Sequence, residues 1–304
     1  MSNVTDAKPQ ATVLPASGMK KLWEDFSESR LALFALAVFL TILFIALFAP
    51  WISPTNPYDL GSVDIMNSRL PPGSEDFAGN VYWLGTDGAG RDMLSSIFYG
   101  LRVSLGVGAF SGIVALTIGG TIGLAAAYFG GRLETIIMRI VDIQLSFPSI
   151  LMALIILAIF GKGVDKTIIA LVLVQWAYYA RTARASALVE KNKEYVEAAQ
   201  CLALSDRRII LSHIMPNCLA PMIVVGTLQT AHAISLEATL SFLGLGLPIT
   251  EPSLGLLIGN GFEYMYTGDF WISIFPGVAL LITIVSINLV GDQLRDIFNP
   301  RLQK

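Results

Sequence analysis

Six long apolar runs divide this chain, and they constrain its fold more than any other feature. They cover residues 31–49, 103–128, 143–160, 168–179, 219–236 and 271–290. About 20 apolar residues in a helix cross the ~30 Å hydrocarbon core of a bilayer. Hydrophobic residues make up 54% of the 304 residues and charged residues only 14%, which is more apolar surface than a soluble core would hide. The sequence therefore predicts an all-α integral membrane protein with six transmembrane helices.

The first and the fourth apolar runs differ from a simple transmembrane span. The first exceeds the core of a signal peptide and no A-x-A cleavage pattern follows it, so we expect a retained, membrane-spanning anchor. The fourth is short, and it reaches spanning length only if it continues through residues 180–188. In that case Arg181 and Arg184 would snorkel to the membrane surface.

The positions of the basic residues predict the orientation of the chain. Lys and Arg are enriched in cytoplasmic loops of membrane proteins. If the N-terminus is inside, most of the 20 Lys and Arg residues fall in inner segments, and the outer segments hold only Arg69, Arg91, Arg102, Lys162 and Lys166. We therefore expect both termini, and the charged stretch around residue 200, to face the cytoplasm.

The second run carries small residues at steps of three or four. The stripe contains Gly108, Gly112, Gly119 and Gly123. Small residues on one face allow helix backbones to approach closely in a membrane. Two interpretations are open: static packing within one bundle, or a face that slides during transport.

Polar residues within the spans are few. The candidates for lining a water-filled path are Gln229, His232 and Asn288, with Glu237 at an outer end of the fifth run. Polar groups are costly in hydrocarbon and face a bundle interior or water. A proton relay through His232 and Glu237 is an alternative use of two of them.

The stretch 194–217, EYVEAAQCLALSDRRIILSHIMPN, is a charged, amphipathic insert between two apolar runs. It predicts a short helix over 194–202 and a second helix with Ser205 as its N-cap and Asp206 in its first turn. Pro216 is expected to end or kink the second helix. Such an insert, tethered at both ends, is either a helix resting on anionic headgroups or a knob that docks a cytoplasmic protein. Glu197 favours docking because an anionic surface would repel it.

Several function classes lack sequence support. The net charge of −3 argues against nucleic-acid binding. We predict no catalytic residues, no metal site and no cofactor, since HExxH, paired CxxC and GxxxxGK[ST] patterns are missing from the sequence. An ion-coupled secondary transporter would need buried acidic residues in the spans, and an intramembrane enzyme would need a paired Asp, an HExxH or a Ser with a basic partner.

The insert resembles the EAA motif of ABC importer permeases, in which E-A-A is followed by a Gly and by I-x-L-P. The segments WLGTDGAGRDMLSSIFYGLRVSLGVG, LSFLGLGLP and NLVGDQLRDIFNPRL resemble dipeptide and oligopeptide permeases of the DppC/OppC type, and the similarity runs over about residues 22–302. The resemblance implies the type I ABC importer permease fold. It also implies the bacterial inner membrane, a second permease in a heterodimer, two cytoplasmic ABC ATPase subunits and a periplasmic binding protein that delivers peptides. Nickel, opines, sugars and antimicrobial peptides are alternative cargoes of the same machine.

By this resemblance the chain divides into a disordered cytoplasmic tail (1–21), a first span with its lead-in (22–51), a periplasmic loop (52–102) and a core domain with five spans (103–304). An apolar piece at 236–248 is expected to be re-entrant or interfacial. The loop at about 189–218 would seat in an ATPase cleft. Its coupling residues are Glu197, Ala198, Ala199, Ala203, Ser205, Asp206, Arg207, Ile210, Pro216 and Asn217. Ala203 replaces the Gly of the pattern, which would cost on the order of 1 kcal/mol if that position has a positive φ.

Overall fold

The computed structural model describes residues 18–59, 65–76, 79–248 and 250–298. Its helices are α1 (Gly18–Ser27), α2 (Arg30–Ile52), α3 (Met93–Phe129), α4 (Gly131–Ser146), α5 (Ser149–Phe160), α6 (Val164–Lys191), α7 (Glu194–Cys201), α8 (Asp206–Ile209), α9 (Met215–Phe242), α10 (Leu254–Phe262) and α11 (Trp271–Phe298). A hairpin of β1 (Ser74–Glu75) and β2 (Val81–Tyr82) lies before α3. The expected tail at 1–17 lies outside the described residues, and 18–21 are helical, which corrects that part of the prediction.

Four helical segments of the described chain are long and apolar enough to cross a membrane. They are α2, α3, the continuous helix Asp206–Phe242 that includes α8 and α9, and α11, and the bent pair α4 and α5 would make a fifth. A π-helical turn at Ile210–Ile214 joins α8 to α9. Although α6 has 28 residues, it is less apolar because it contains Gln175, Arg181 and Arg184.

The predicted third span is not a straight helix. The chain breaks at Phe147 and Pro148, and α4 and α5 meet at a bend of 94°. Phe147 is extended, with φ −91° and ψ 141°, because the ring of a following proline disfavours helical geometry. The apolar run 143–160 therefore joins the end of one helix to the whole of another.

The two arginines of α6 both pair with carboxylates. Arg181 pairs with Asp142 of α4, and the Nε of Arg184 donates to a carboxylate oxygen of Glu134 at 2.7 Å. Both carboxylates lie on α4, which runs back along α6. The helix α6 extends to Lys191, as expected. Its two arginines are tolerated because they pair with carboxylates of a neighbouring helix.

The segment expected to be re-entrant at 236–248 is divided. Residues up to Phe242 continue α9, and a turn then leads to α10. Gly255 of α10 lies so close to the Ala238 backbone that any Cβ would overlap it. Glu237 is fully buried, five residues before the end of α9 at Phe242.

The loop before α3 is attached to the segment around α10. The Trp271 indole donates to the Thr86 carbonyl at 3.2 Å. The Tyr58 hydroxyl donates to Glu251 at 2.8 Å, and burial together with this carboxylate raises the pKa of Tyr58. Because α3 begins at Met93, the loop ends ten residues earlier than predicted.

The small-residue stripe of α3 faces two different helices. Gly108 and Gly112 lie against Ile234 and Thr230 of α9, whereas Gly119 and Gly123 lie against the main chain of α6. A Cβ on Gly119 would overlap the Trp176 carbonyl oxygen. The stripe is thus an interface in two halves, with backbone contact only in the inner half.

This geometry predicts opposite effects for two glycines of α3. Gly119→Ala should destabilise the folded chain by about 1 to 3 kcal/mol, because backbone must move to admit the methyl group. Gly106→Ala should be neutral or stabilising by up to about 1 kcal/mol, since open space surrounds that position. Thermal denaturation of the purified protein in detergent measures both. Equal stability of the two variants would contradict the close contact of α3 with α6.

Candidate functional site

The link between α7 and α8 is a tight turn centred on Ala203. Ala203 has φ 52°, its N–H donates to the Gln200 carbonyl at 2.9 Å, and the Leu204 N–H donates to the Ala199 carbonyl at 3.2 Å. These two bonds form a Schellman motif, in which the residue after the C-cap is normally glycine. The sequence left the sign of φ at this position open. It is positive, and alanine adopts it at a steric cost.

The apolar face of the insert is already covered by its own bundle. Val196, Ala199, Ile209 and Ile214 are buried, and they pack with the inner ends of α3 and α6 around Ala183. In the described insert Leu202 and Leu211 remain exposed, whereas the other large aliphatic side chains are buried or partly buried. Most of the apolar face is therefore used for attachment to the bundle, which weakens the headgroup interpretation.

The exposed side of the insert is polar with an apolar tip. Leu202 is 75% exposed at the turn. The other exposed residues include most of the predicted coupling set: Glu197, Ala198, Ala203, Ser205, Asp206, Arg207, Pro216 and Asn217. Ala199 is buried and Ile210 is partly buried, so these two belong to the attachment of the insert rather than to its outer surface.

Polar contacts fix the insert to the helices on either side. The Tyr128 hydroxyl at the end of α3 donates to Asp206 at 2.6 Å. Lys191 donates to the Tyr128 carbonyl at 2.6 Å, where a cation suits the C-terminus of α3. The insert is therefore held at its second helix and at its entry.

A second group of contacts joins α7 to the start of α9. Asn217 donates to the His213 carbonyl at 2.8 Å and to the Tyr195 hydroxyl at 3.2 Å. The Tyr195 hydroxyl in turn donates to Glu190 at 2.6 Å. Burial, reinforced by Glu190, raises the pKa of Tyr195 to about 12, so the phenol remains a donor.

Sequence reasoning identified Asn217 but missed Tyr128, Lys191 and Tyr195. Their partners are up to 78 residues away, and no local pattern marks them. Ser205 occupies the predicted N-cap position of α8, although its side chain makes no capping bond. Pro216 does not end the helix. It lies in the first turn of α9, directly after the π-helical turn, which adjusts the ladder where proline lacks an N–H.

Three of the predicted pathway residues are half-buried. Gln229 and His232 lie on α9 and Asn288 lies on α11. Within the described chain, neither Gln229 Oε1 nor His232 Nδ1 has a hydrogen-bond partner, although both atoms are shielded from water. Buried polar atoms are normally satisfied, so these two atoms mark a place where another group could bind.

Glu237 has a different environment. Its carboxylate accepts from the Ser104 hydroxyl of α3 at 2.8 Å and from the Ser241 hydroxyl at 2.7 Å. Ser104 also accepts the Leu254 N–H at 3.3 Å. Glu237 thus joins α3, α9 and the start of α10, and in this conformation it lines no open path. No cluster of three or more His, Cys, Asp or Glu residues suited to a metal occurs in the described ranges.

Comparison with known proteins places this arrangement in one family. The family model described as "Binding-protein-dependent transport system inner membrane component" matches residues 119–304. The model described as "N-terminal TM domain of oligopeptide transport permease C" matches residues 17–72. The two matches together include the insert and all the spans except part of α3.

Curated relatives match nearly the whole chain. The dipeptide transport system permease protein DppC of Escherichia coli K12 is 38% identical over 304 residues, which is 100% of both chains. The di/tripeptide transport system permease protein DppC of Pseudomonas aeruginosa is 38% identical over 288 residues, covering 94% of this chain and 93% of the relative.

A solved structure shares the fold. A chain of the inward-facing MetNI methionine ABC transporter superposes with a TM-score of 0.56 at 22% identity, covering 68% of this chain and 98% of that chain. The buried attachment and exposed tip of the insert, the apolar helices and these matches lead to one conclusion. The chain belongs to the family of binding-protein-dependent transport system inner-membrane components.

Proposed function

We propose that this chain is a permease subunit of an ATP-driven importer of di- or oligopeptides. With a second permease it forms the translocation path, a periplasmic binding protein delivers the peptide, and two cytoplasmic ATPase subunits drive the cycle. The names of the curated relatives support peptides as the cargo. Hydrolysis belongs to the separate ATPases, and this chain contributes no catalytic residue.

The observation that carries the proposal is the form of the insert. Its buried apolar residues pack against α3 and α6, while Leu202 and the charged residues around it project from the bundle. A short projection with a highly exposed leucine at its turn fits a cleft in another protein, because an apolar anchor ringed by polar groups is typical of docking sites. We propose that the coupling segment, residues 189–218, moves when the ATPase subunits change conformation.

The topology that we propose has six spans in the bacterial inner membrane: α2, α3, the α4 and α5 pair, α6, α8 with α9, and α11. Both termini face the cytoplasm, and the N-terminal segment with the first span precedes a periplasmic loop and a five-span core. The turns at the inner ends of α3 and α6 support this order, since they bring Arg132, Lys191 and Lys193 to the side of the coupling segment. Gln229, His232 and Asn288 are proposed to face the path.

Site-directed crosslinking tests the docking proposal. We expect cysteines at Ser205 and Arg208 to crosslink to the ATPase subunits in native membranes, with yields that change when ATP is added. The background should carry Cys201→Ser, because Cys201 is an exposed thiol on the same segment. Arg132→Cys, which is exposed at the turn into α4, is the matched control on the same side. Crosslinks to lipid-anchored reagents only, at all three positions, would contradict docking.

The strained turn gives a second prediction. Ala203→Gly should stabilise the turn by about 1 kcal/mol, because glycine adopts a positive φ without a steric penalty. Amide exchange at Leu204 should slow about fivefold in the purified protein. Ala198→Gly, an exposed position in the middle of α7, should instead destabilise the segment by up to about 1 kcal/mol. Effects of the same sign in the two variants would contradict the Schellman geometry.

A further inference from the structure

A cavity of about 380 Å³ opens between α4, α6 and α9. Its lining residues are Leu145, Tyr178, Arg181, Thr182, Val225, Leu228 and Gln229. Gln229 lies halfway along α9, which runs from Met215 to Phe242. The cavity is therefore within the depth of the proposed membrane, well away from both ends of the helix.

The polar groups of this cavity are unsuited to hydrocarbon. Arg181 lines the cavity, and Asp142, which lies beside the lining, is its ion-pair partner; their side chains are 53% and 57% exposed although they are paired. Gln229 Oε1 is shielded and lacks a partner among the described residues. Charged and amide groups in a span face protein or water rather than lipid, so this wall faces an aqueous path or the other half of the transporter.

We infer that this cavity is a binding site for a zwitterionic peptide during its passage. The inference rests on the proposed function and adds a position and a chemistry to it. The Arg181 guanidinium would bind the peptide's C-terminal carboxylate, since its fork matches a carboxylate in two hydrogen bonds. Asp142, released from Arg181, would bind the N-terminal ammonium group.

The exchange keeps the charges balanced. A pair of opposite charges on the protein opens, and each partner meets the opposite charge of the zwitterion, so no net charge is buried or left over. Gln229 lines the cavity, and because its Oε1 is shielded in this conformation, its side chain would have to rotate for this oxygen to accept an N–H from the peptide bond. Leu145, Val225 and Leu228 provide an apolar surface that can contact peptide side chains of different shapes.

The chain contains a matched comparison for the Arg181 and Asp142 pair. Arg184 and Glu134 join the same two helices, but their side chains are only 34% and 21% exposed, and neither lines the cavity. If ion pairs only hold α4 against α6, the two pairs should be equivalent. If the cavity binds peptide, only the first pair should affect the recognition of its ends.

The test uses the complete transporter, with both permeases and the ATPases, in detergent without the binding protein. A dipeptide of alanine and photo-leucine is activated by light, and the labelled residues are mapped by mass spectrometry. We expect labelling in residues 142–145, 178–182 and 225–229. The same dipeptide with a C-terminal amide should label these residues about tenfold less, the loss expected when a charge-assisted bond is removed.

Variants separate recognition from helix attachment. Arg181→Gln should lower labelling by the free dipeptide about tenfold at limiting probe, whereas Arg184→Gln should leave it within twofold. Exchanging the charges, with Arg181→Asp and Asp142→Arg together, should restore the thermal stability lost in Arg181→Gln but not the labelling. Restoration of both would show that the pair only joins helices, which would overturn the inference.

Uptake of dipeptide by proteoliposomes, measured with the binding protein present, tests the proposed function separately from the proposed site. Uptake of dipeptide by the wild type, combined with labelling only outside the cavity, overturns the site and leaves the proposed function standing. No ATP-dependent uptake of any dipeptide by the wild type overturns the proposed function itself. The labelling experiment uses the wild-type protein, so it tests the inference even if a variant is unstable.

Discussion

The backbone contact between α3 and α6 is the constraint on which the rest of the molecule depends. Gly119 and Gly123 admit the carbonyl groups of Trp176 and Ala180, and in lipid such close packing replaces the hydrophobic drive that joins helices in water. Because the two helices meet so closely, their inner ends form a single surface around Ala183. The coupling segment packs on that surface, so its attachment depends on glycines that it never touches.

A rigid connection leads from this surface to the opposite side of the protein. The segment Asp206–Phe242 is one continuous helix, and Glu237 lies about 45 Å from Asp206 along it at 1.5 Å per residue. At that end Glu237 joins Ser104 of α3 and, through Ser104, the start of α10. On the proposed function, a displacement of α8 by an ATPase would reach the other end of the bundle through one helix. The Schellman turn and the Tyr195 contacts would then stiffen the attachment of the segment that moves.

Local patterns predicted that the fourth run continues as a helix through residue 188, and they predicted a short helix over 194–202, which forms at Glu194–Cys201. Each of these depends on neighbours in sequence. Hydropathy alone did not predict the break between α4 and α5, since it ignores the effect of Pro148 on Phe147. The partner of Arg181 was equally hidden, because Asp142 lies 39 residues away on a helix whose direction depends on that break. The burial of Glu237 required the fold of α10 over α9, which no pattern in the apolar run 236–248 encodes.

The distribution of polar groups around the bundle distinguishes its two sides. Tyr178 and Arg181 on α6 and Gln229 on α9 line one cavity with Leu145 of α4, and Asp142 of α4 pairs with Arg181 beside it. Elsewhere the exposed faces are apolar, as Phe44 on α2, Ile113 on α3 and Leu281 on α11 illustrate. A single chain with one polar wall cannot bury that wall in lipid without a cost of several kcal/mol for each unsatisfied group. On the proposed function this polar wall faces the second permease, and the space between the two is the peptide's path.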